Sequence, residues 1–215
     1  MIILSHRGYW KDLTERNQRV AFMRSFDIGF GTETDLRDIM GKIVISHDMP
    51  KGGEITLEEV LQIMDGRNLP LALNIKADGQ ADAILELLAK YGHTDYFTFD
   101  MSIPDMVVQI KHGMRVFTGF SDILTTPVML NEAAGVWLDC FNSDWYRMEV
   151  VDDLITCGKS VCIVSAELHN RETDKQWEKI RQSKYFDSEN LLLCTDYPEK
   201  AEEFFYGNFK MAKST

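Results

Sequence analysis

The amino-acid sequence predicts a single α/β domain with the (β/α)8 fold of a TIM barrel, and three observations favour that class. Eight short apolar segments alternate with longer amphipathic segments along the chain, which is the pattern of strand–helix units around a parallel sheet. The first apolar segment leads into a turn with one glycine, Gly8, where an open doubly wound sheet would need a glycine-rich loop. Polar residues collect where the apolar segments end, as active-site residues do in barrels.

The strands are read from apolar runs that end in polar or turn-forming residues. Eight barrel strands are expected at residues 2–5, 31–36, 71–76, 96–99, 115–118, 135–139, 160–164 and 191–194. An additional short strand is expected at residues 42–46, directly after the second barrel strand. Eight strands, each followed by a helix, would complete one closed barrel.

The helices are predicted where apolar residues recur at helical spacing between these strands. They are expected at residues 14–27, 57–65, 81–91, 104–112, 127–134, 149–157, 174–183 and 198–205. The second helix opens with Thr56 and Glu59, which have the spacing of a capping box. Gly92, Gly113 and Gly158 stand where helices should end, since glycine commonly follows the last helical residue.

Length and charge limit the domain organisation and the kinds of partner. A chain of 215 residues with 45% hydrophobic composition can bury one substantial core, so one domain spanning residues 1–215 is expected. The formal net charge of -11 argues against a nucleic-acid or anionic-membrane partner, because those partners need a basic surface. An anionic small-molecule substrate therefore needs locally placed cations. The sequence does not indicate the oligomeric state.

The cysteines and the apolar segments indicate a cytoplasmic protein without an integral membrane segment. The four cysteines do not show paired-ligand spacing and are expected to be free thiols; they are Cys140, Cys157, Cys162 and Cys194. The opening apolar run, residues 1–4, is too short for the core of a signal peptide. Nor does any stretch approach the roughly 20 apolar residues that a membrane span requires.

Two carboxylates and two histidines form the candidate site. Glu33 and Asp35 are two residues apart in the second strand, so their side chains share one face and can reach the same hard cation. His6 ends the first strand and His47 follows the short additional strand. Imidazole titrates near neutrality, so one ring can donate a proton while the other accepts one. The grouping suggests metal-assisted attack on a phosphate ester.

Other polar residues lie near strand or helix ends, where ordinary structural roles are common. Asn74 and Lys76 end the third strand, and a lysine inside a barrel needs an anionic partner. His93 and His112 lie near predicted helix ends, where histidines commonly meet backbone carbonyls. His169 follows the seventh strand but is expected in an exposed loop.

Two further residues have expected supporting roles. Asn17 lies near a predicted helix start, where a side-chain amide readily ties a loop to the backbone. Asp48 directly follows His47, and it should either orient that imidazole or cap the next turn.

The ordered motifs resemble those of the glycerophosphodiester phosphodiesterase family, whose pattern is His-Arg-Gly, Glu-x-Asp, His-Asp and Glu-x-Lys. The counterparts here are His6-Arg7-Gly8, Glu33-Thr34-Asp35, His47-Asp48 and Asn74-Ile75-Lys76. Additional agreement comes from Glu15-Arg16-Asn17, from Thr56-Leu57-Glu58-Glu59 and from Thr195-Asp196-Tyr197-Pro198. The likeness spans nearly the whole chain, although between Asp78 and Tyr197 only the strand–helix rhythm agrees.

The resemblance implies a (β/α)8 barrel that hydrolyses a small phosphodiester with a divalent cation, Mg²⁺ or Ca²⁺. Glu33, Asp35 and Asn74 would be the metal ligands, and His6 and His47 the acid and base. By the same resemblance, Arg7 and Lys76 would steady the substrate phosphate. The substrate's neighbouring hydroxyl would attack first and give a cyclic phosphate, which water then opens. An enzyme that fails to open the ring would be a lyase.

This chain departs from the family pattern at two places. Asn74 stands where the family has a glutamate, and an amide oxygen can coordinate a hard cation but supplies no charge. A third carboxylate could come instead from Asp78 or Glu167, and the sequence does not choose between them. Only a short segment, residues 48–71, separates the second histidine motif from the third strand. The family usually carries an insertion there that shapes the head-group pocket, so a wider or different alcohol is plausible.

Aromatic residues in the loops after strands could form walls for an alcohol or a choline-like group; they are Tyr9, Trp10, Phe120, Trp145 and Tyr146. Ordinary loop packing explains them about equally well.

Two alternatives to a phosphodiesterase remain open from the sequence. One is a phosphate-ligand-binding barrel with weakened catalysis, and the other is a sugar-phosphate isomerase on the same architecture.

Overall fold

The computed structural model describes residues 1–207, so residues 208–215 of the expected domain lie outside the described part. The strands are β1 (Ile2–His6), β2 (Gly31–Ile39), β3 (Lys42–Ile45), β4 (Leu71–Ile75), β5 (Tyr96–Phe99), β6 (Phe117–Phe120), β7 (Gly135–Leu138), β8 (Ser160–Val164) and β9 (Leu191–Thr195). The helices are α1 (Arg19–Asp27), α2 (Leu57–Met64), α3 (Ala81–Lys90), α4 (Ile103–Lys111), α5 (Met148–Thr156), α6 (Asp174–Ile180) and α7 (Pro198–Tyr206). Short 3-10 helices occupy Leu13–Glu15 and Ala166–His169.

The strands join in the order β5-β4-β2-β1-β9-β8-β7-β6, and β3 adds to β2 as an antiparallel hairpin. The neighbours β2–β4, β4–β5, β6–β7, β7–β8 and β8–β9 are parallel. A parallel bridge joins Thr98 of β5 to Val116, the residue before β6. Parallel strands in this order, with a helix in every connection except that between β6 and β7, are the (β/α)8 arrangement, so the predicted fold class is confirmed.

The chain divides into two compact units, each described by itself. One unit is Ser5–Val116, and the described part of the other comprises Met1–Leu4 and residues 117–207. The expectation of one domain over residues 1–215 stays a prediction.

In the unit Ser5–Val116, α1 packs against β2, and α2 packs against β3 and α1. Helix α2 shows the local logic, because Thr56 and Glu59 form the expected capping box at its start. The buried residues of α2 recur at helical spacing and form one apolar stripe; they are Leu57, Val60, Leu61 and Met64. Strand β4 is buried along its whole length, as expected for an inner parallel strand.

In the other unit, β7, β8 and β9 are buried along their whole length. Gly135 opens β7 where a Cβ atom would lie 2.5 Å from both the Ser160 carbonyl oxygen and the Phe117 ring. Only glycine fits this close approach of neighbouring strands. At the outer side, Trp177 of α6 packs its ring against Phe204 and Phe205 of α7, at 5.3 and 5.6 Å between centroids.

The strand predictions are confirmed to within a few residues, and two helix predictions were wrong. The helix expected at 14–27 is a 3-10 turn followed by α1, because Asn17 adopts a left-handed conformation (φ 57°) that interrupts it. Within the described residues, the segment 127–134 forms turns instead of a helix. There Met129 has φ 52°, and the Val128 carbonyl accepts a hydrogen bond from Thr118 Oγ1 at 2.7 Å. Tertiary hydrogen bonding thus overrides the local apolar spacing.

Other local predictions hold. Gly92, Gly113 and Gly158 follow helix ends with positive φ angles, as expected for glycine at these positions. The four cysteines are free thiols, of which Cys157 is exposed and the others are buried. Within residues 1–207, the structure has no helix with the length and apolar character of a membrane span.

Candidate active site

The candidate site belongs entirely to the unit Ser5–Val116 and lies where β1, β2, β3 and β4 end. The structure brings most of its predicted residues to neighbouring strand ends; the predicted set is His6, Arg7, Glu33, Asp35, His47, Asn74 and Lys76. Asp35 of β2 is the direct register partner of Asn74 in β4. Because side chains two residues apart share a face, Glu33 lies on the same side of the sheet as Asp35. A parallel pairing thus joins two motifs that are far apart in sequence.

The turn after β1 is built around Gly8, which has φ 81° and packs directly on α1. A Cβ atom at Gly8 would lie 2.7 Å from Ala21 Cβ, closer than two carbon atoms can approach. The Gly8 amide donates to Thr32 Oγ1 at 2.9 Å, and the Arg7 amide donates to the Glu33 carbonyl at 2.9 Å. The His-Arg-Gly motif is therefore a tight turn that fixes Arg7 beside β2.

Two cationic side chains contact the buried carboxylate of Asp35. Arg7 Nε lies 3.0 Å from Asp35 Oδ2, and Lys76 Nζ lies 3.5 Å from Asp35 Oδ1. The side chain of Asp35 is fully buried, whereas those of Arg7 and Lys76 are about one-fifth exposed. A buried carboxylate needs positive partners, and here the partners keep a solvent-facing portion that an anionic ligand can reach.

Glu33 is the second buried carboxylate, and its side chain is only 2% exposed. Its Oε2 atom lies 3.8 Å from His6 Nε2. Burial and the neighbouring negative charge of Asp35 raise the pKa of Glu33 well above its ordinary value, although Arg7 and Lys76 oppose the shift. A positive charge bound beside Glu33 would offset both causes, since it favours the ionised carboxylate.

Three buried oxygens at these strand ends accept no hydrogen bond from the described residues, although Lys76 Nζ forms an ion pair with one of them and His6 Nε2 lies 3.8 Å from another. They are Glu33 Oε2, Asp35 Oδ1 and Asn74 Oδ1. Leaving a buried acceptor unsatisfied is costly, so such atoms call for a further partner. Carboxylate and amide oxygens are the ligands that Mg²⁺ and Ca²⁺ prefer. The donor set therefore fits a hard divalent cation.

The donor set contains one amide. In the described part of the chain, no group of three or more His, Cys, Asp or Glu side chains is placed to hold a metal ion. Asn74 is buried, with 7% of its surface exposed, and contributes a neutral oxygen beside two carboxylates. The negative charge that balances a cation at this position would come from Glu33 and Asp35.

His47 lies just after β3 in a half-exposed position. Its Nδ1 atom is 2.9 Å from Asp48 Oδ1, and this hydrogen bond lowers the pKa of Asp48. The expected orienting contact from Asp48 is therefore present. Arg37 was not recognised from the sequence: its Nε and Nη2 donate to the His47 carbonyl at 3.2 and 3.1 Å. Its Nη1 donates to the Lys76 carbonyl at 3.2 Å, so Arg37 joins two site segments.

Asn17 also does more than the sequence suggested. Its Nδ2 donates to Asp35 Oδ2 at 2.9 Å, while its Oδ1 accepts from Thr34 Oγ1 at 2.8 Å. Its backbone amide donates to the Arg7 carbonyl at 2.9 Å. One buried side chain therefore orients the Asp35 carboxylate, and its backbone closes the turn that carries Arg7.

The two carboxylates considered as substitutes for a third ligand are held by their own neighbours. Asp78 accepts hydrogen bonds from the backbone amide and the hydroxyl of Ser102. Glu167 belongs to the other unit and accepts from the Thr195 hydroxyl and, at 2.9 Å, from the Asp196 amide. The sequence did not indicate Asp100, whose Oδ2 accepts a hydrogen bond from Asn74 Nδ2 at 3.2 Å.

The unit that contains β6–β9 has a second polar group at its strand ends. His169 Nε2 lies 2.6 Å from Asp139 Oδ1, and the His169 side chain is only 22% exposed. Trp145 Nε1 donates to the Asp139 carbonyl, and the Phe141 ring lies 4.9 Å from the imidazole. The expectation that His169 lies in an exposed loop was wrong, because a hydrogen bond to Asp139 and a ring contact with Phe141 hold it in a 3-10 helix.

The aromatic residues considered as walls for a cationic alcohol are partly covered by the chain's own cations. The pairs are Lys11 with Tyr9 at 4.3 Å, Arg16 with Trp10 at 4.3 Å and Lys179 with Tyr146 at 4.4 Å from cation to ring centre. Phe120 and Trp145 instead pack edge to face, 4.8 Å apart. A choline-like group would therefore have to compete with lysine and arginine at three of the five rings.

The two histidines expected to have structural roles contact backbone carbonyls. His93 Nε2 is 3.0 Å from the Asp95 carbonyl, and His112 Nδ1 is 2.8 Å from the Val108 carbonyl. Burial lowers the pKa of His93. These contacts agree with the structural roles expected from the sequence.

Together, fold and site define a (β/α)8 barrel with buried carboxylates, basic side chains and an imidazole at adjoining strand ends. Comparison with solved structures finds the same fold in a glycerophosphodiester phosphodiesterase from Agrobacterium tumefaciens, with a TM-score of 0.71 and 15% identity over 97% of this chain and 100% of that one. A glycerophosphoryl diester phosphodiesterase from Parabacteroides distasonis gives a TM-score of 0.67 and 15% identity, over 100% of this chain and 88% of that one.

A third structure is a phosphodiesterase from Oleispira antarctica in complex with its product sn-glycerol-3-phosphate. It gives a TM-score of 0.66 and 16% identity, over 94% of this chain and 96% of that one. The sequence matches neither a family model nor a curated protein. At 15–16% identity, these three likenesses show a shared fold.

Proposed function

We propose that the protein is a phosphoric diester hydrolase that uses a divalent cation to hydrolyse a small glycerophosphodiester or a related alcohol phosphodiester. The observation that carries the proposal is a set of three buried oxygens that accept no hydrogen bond from the described residues. They are Glu33 Oε2, Asp35 Oδ1 and Asn74 Oδ1. They lie at strand ends that also carry Arg7 and Lys76. The fold, shared with glycerophosphodiester phosphodiesterases, supports phosphodiester chemistry in general.

Glu33, Asp35 and Asn74 would hold the cation, either Mg²⁺ or Ca²⁺. When bound, such an ion polarises the phosphoryl oxygens and stabilises the negative charge that develops during attack. The two carboxylates balance its charge, and the amide of Asn74 adds a ligand without adding charge. Oxygen-only ligation favours these hard ions over softer transition metals.

Arg7 and Lys76 would bind the substrate phosphate. Both lie within 3.5 Å of Asp35, which holds their side chains in place before the substrate arrives. Such preorganised positive charge is the usual means of stabilising a phosphoryl group in its transition state. Asn17 supports this arrangement because it donates to the same Asp35 carboxylate at 2.9 Å.

His6 and His47 would carry the protons. In the first step one imidazole accepts the proton of a substrate hydroxyl while that oxygen attacks phosphorus. The bond to the leaving alcohol breaks, and the other imidazole gives that alcohol its proton. In the second step water attacks the cyclic phosphate, one ring P–O bond breaks, and the two imidazoles return to their starting states. Asp48 and Arg37 would hold His47 in position.

The substrate proposed is a glycerol-containing phosphodiester, because the Oleispira antarctica enzyme binds sn-glycerol-3-phosphate as its product. Glycerol also supplies the neighbouring hydroxyl that the first step needs. The short segment between Asp48 and Leu71 leaves little chain to enclose the leaving alcohol. A leaving group wider than glycerol would therefore be accepted.

The test is incubation of the purified protein with a panel of phosphodiesters, with and without a chelator. Alcohol release and cyclic phosphate are followed separately. Turnover that the chelator stops and that added Mg²⁺ or Ca²⁺ restores is the expected result. Turnover unaffected by the chelator would refute the cation's role, and accumulation of cyclic phosphate as the only product would make the enzyme a lyase.

A second candidate function is a phosphate-ligand-binding barrel with weakened catalysis. It is favoured by the neutral Asn74 at a ligand position and by the pairing of Asp35 with Arg7 and Lys76. These contacts neutralise one of the two carboxylates without a metal ion. Saturable binding of a glycerophosphodiester without release of alcohol, in the presence of either cation, would support this alternative.

A further inference from the structure

The side chain of Asn74 has two chemically different ends, and the structure distinguishes them. Asn74 Nδ2 donates to Asp100 Oδ2 at 3.2 Å. Asn74 Oδ1 is buried and lacks a hydrogen-bond donor within residues 1–207. Asn74 is the register partner of Asp35 in the adjoining strand. The amide oxygen is thus the end left for a ligand at the proposed cation site.

The direction of an amide decides whether it can bind a cation. The carbonyl oxygen of asparagine is a good ligand for a hard cation, whereas its NH₂ group is a donor that cannot coordinate one. An ionised carboxylate only accepts hydrogen bonds. Asp100 therefore admits one orientation of the Asn74 amide, with Nδ2 toward Asp100 and Oδ1 away from it.

The backbone places Asp100 beside the Asn74 amide. It directly follows β5 and adopts a left-handed conformation with φ 63°. The residue before it, Phe99, is fully buried and is the register partner of Asn74. Asp is among the few residues that tolerate a left-handed conformation. The end of β5 thus brings an exposed carboxylate to the amide at the end of β4.

We propose that Asp100 is a positioning residue for the cation site, acting through Asn74. It keeps Asn74 Oδ1, instead of Nδ2, available to a divalent cation. It also places a negative charge behind Asn74, in partial replacement of the charge that a carboxylate at position 74 would supply. The inference rests on the proposed function, because it requires that a divalent cation binds beside Glu33 and Asp35.

The test is calorimetric titration of the purified protein with Mg²⁺ and, separately, with Ca²⁺. Outer residues that orient metal ligands change metal affinity by about 10- to 100-fold when they are replaced. Asp100→Asn should therefore raise the Kd by about 10-fold or more, because its own amide can also donate and no longer imposes one direction on Asn74. Asp82→Asn, an equal charge change on the exposed surface of α3, serves as the control and should leave the Kd unchanged.

Testing Asp100→Asn in an Asn74→Glu background distinguishes a positioning effect from a general structural effect. Asn74→Glu removes the N–H group that Asp100 accepts from, and its carboxylate should bind the cation more tightly. In that background Asp100→Asn should leave the Kd unchanged or lower it, because Asp100 then only repels the new carboxylate. An equal loss of affinity in both backgrounds would overturn the inference, and so would an unchanged Kd in the Asp100→Asn single variant.

Failure of the proposed function gives a different result. If the wild-type protein binds neither ion, the cation site and the role of Asp100 are both refuted. If the wild-type protein binds and Asp78→Asn weakens binding while Asp100→Asn does not, the cation site survives and the inference alone is refuted. Thermal unfolding of each variant without added metal confirms that the compared proteins are folded.

Discussion

His6 and His47, the two proposed proton carriers, are held in different ways. His6 is the last residue of β1, and its side chain is only 14% exposed. His47 lies beyond β3 with about half of its side chain exposed, and it depends on contacts from Asp48 and Arg37. The first imidazole is positioned by a strand, and the second by polar contacts from neighbouring residues.

Replacement of either imidazole should remove turnover without unfolding the protein. General acid–base catalysis contributes about 10²- to 10⁴-fold to rate, so His6→Ala and His47→Ala should each lower kcat by about that factor. Steady-state kinetics on the best diester of the panel measures the loss. His112→Ala is the matched control, because His112 contacts the Val108 carbonyl and the exposed Asp82. Substantial activity in either of the first two variants would remove the acid–base assignment.

At the residue scale, the sequence indicated the motif residues and two of their supports, Asn17 and Asp48, but not Arg37 or Asp100. Glu33 and Asp35 could be paired from their spacing alone, because the strand period is two. Arg37 and Asp100 could not be found, since each supports the site through a contact with a residue distant in sequence. Such contacts depend on which strands become neighbours.

Among the elements, the β1–α1 connection links fold to site most directly. Gly8 has φ 81° and packs against Ala21 of α1 with no room for a Cβ atom. The same turn carries His6 and Arg7. The site therefore depends on close packing between this loop and a helix that takes no part in the chemistry.

Gly8→Ala should destabilise the protein more than Gly29→Ala. Both glycines have positive φ, but a Cβ atom at Gly29 would meet nothing within 4 Å. The left-handed conformation alone costs an alanine about 1–2 kcal/mol, and overpacking typically adds about 1–3 kcal/mol. Urea unfolding should give Gly8→Ala a free energy of unfolding that is lower than that of Gly29→Ala by about 1–3 kcal/mol, the cost of overpacking. Equal stabilities would contradict the tight packing on Ala21.

Arg37 is a second inter-element support, since it donates to the carbonyls of His47 and Lys76. Arg37→Gln should lower kcat by roughly tenfold or more, because small displacements of catalytic groups are costly to rate. The free energy of unfolding should change by less than about 1 kcal/mol, as is common for exposed polar contacts. Arg19→Gln breaks the exposed pair with Glu59 and should leave kcat unchanged. A loss of stability that matches the loss of rate would contradict the positioning role.

At the element scale, most strands were predicted to within a few residues, because buried strands are continuous apolar runs. The failures lie at residues 14–27 and 127–134, where Asn17 and Met129 take left-handed conformations. Helical spacing of apolar residues was present in both segments. Hydrogen bonds beyond the range of a helical turn, such as that from Thr118 to the Val128 carbonyl, outweighed it.

On the scale of the whole molecule, the net charge opposes the proposed substrate. The chain carries 34 acidic and 23 basic residues, so an anionic diester is repelled until it reaches Arg7 and Lys76. Long-range repulsion of this kind slows association and is screened by salt.

Salt should therefore raise kcat/KM for a singly anionic diester while leaving kcat nearly constant. The Debye length falls from about 30 Å at 0.01 M to about 8 Å at 0.15 M ionic strength. Initial rates at low substrate concentration, across NaCl concentrations in that range, measure the effect. A zwitterionic diester of zero net charge is the control and should respond less. A fall in kcat/KM for the anionic diester would show that local cations, not the net charge, dominate its approach.

The sequence alone determined the class of fold and the principal site motifs, because both follow from short-range periodicity: apolar runs mark strands, and polar residues at their ends mark a site. It did not identify Arg37 or Asp100 as supports of those motifs. Several contacts arise only when distant strands become neighbours. They are the register pairing of Asp35 with Asn74 and the hydrogen bond from Asn74 to Asp100. The hydrogen bonds from Arg37 to the backbone carbonyls of His47 and Lys76 are further examples. These contacts depend on register and backbone conformation, which are settled by packing of the folded chain and not by local spacing.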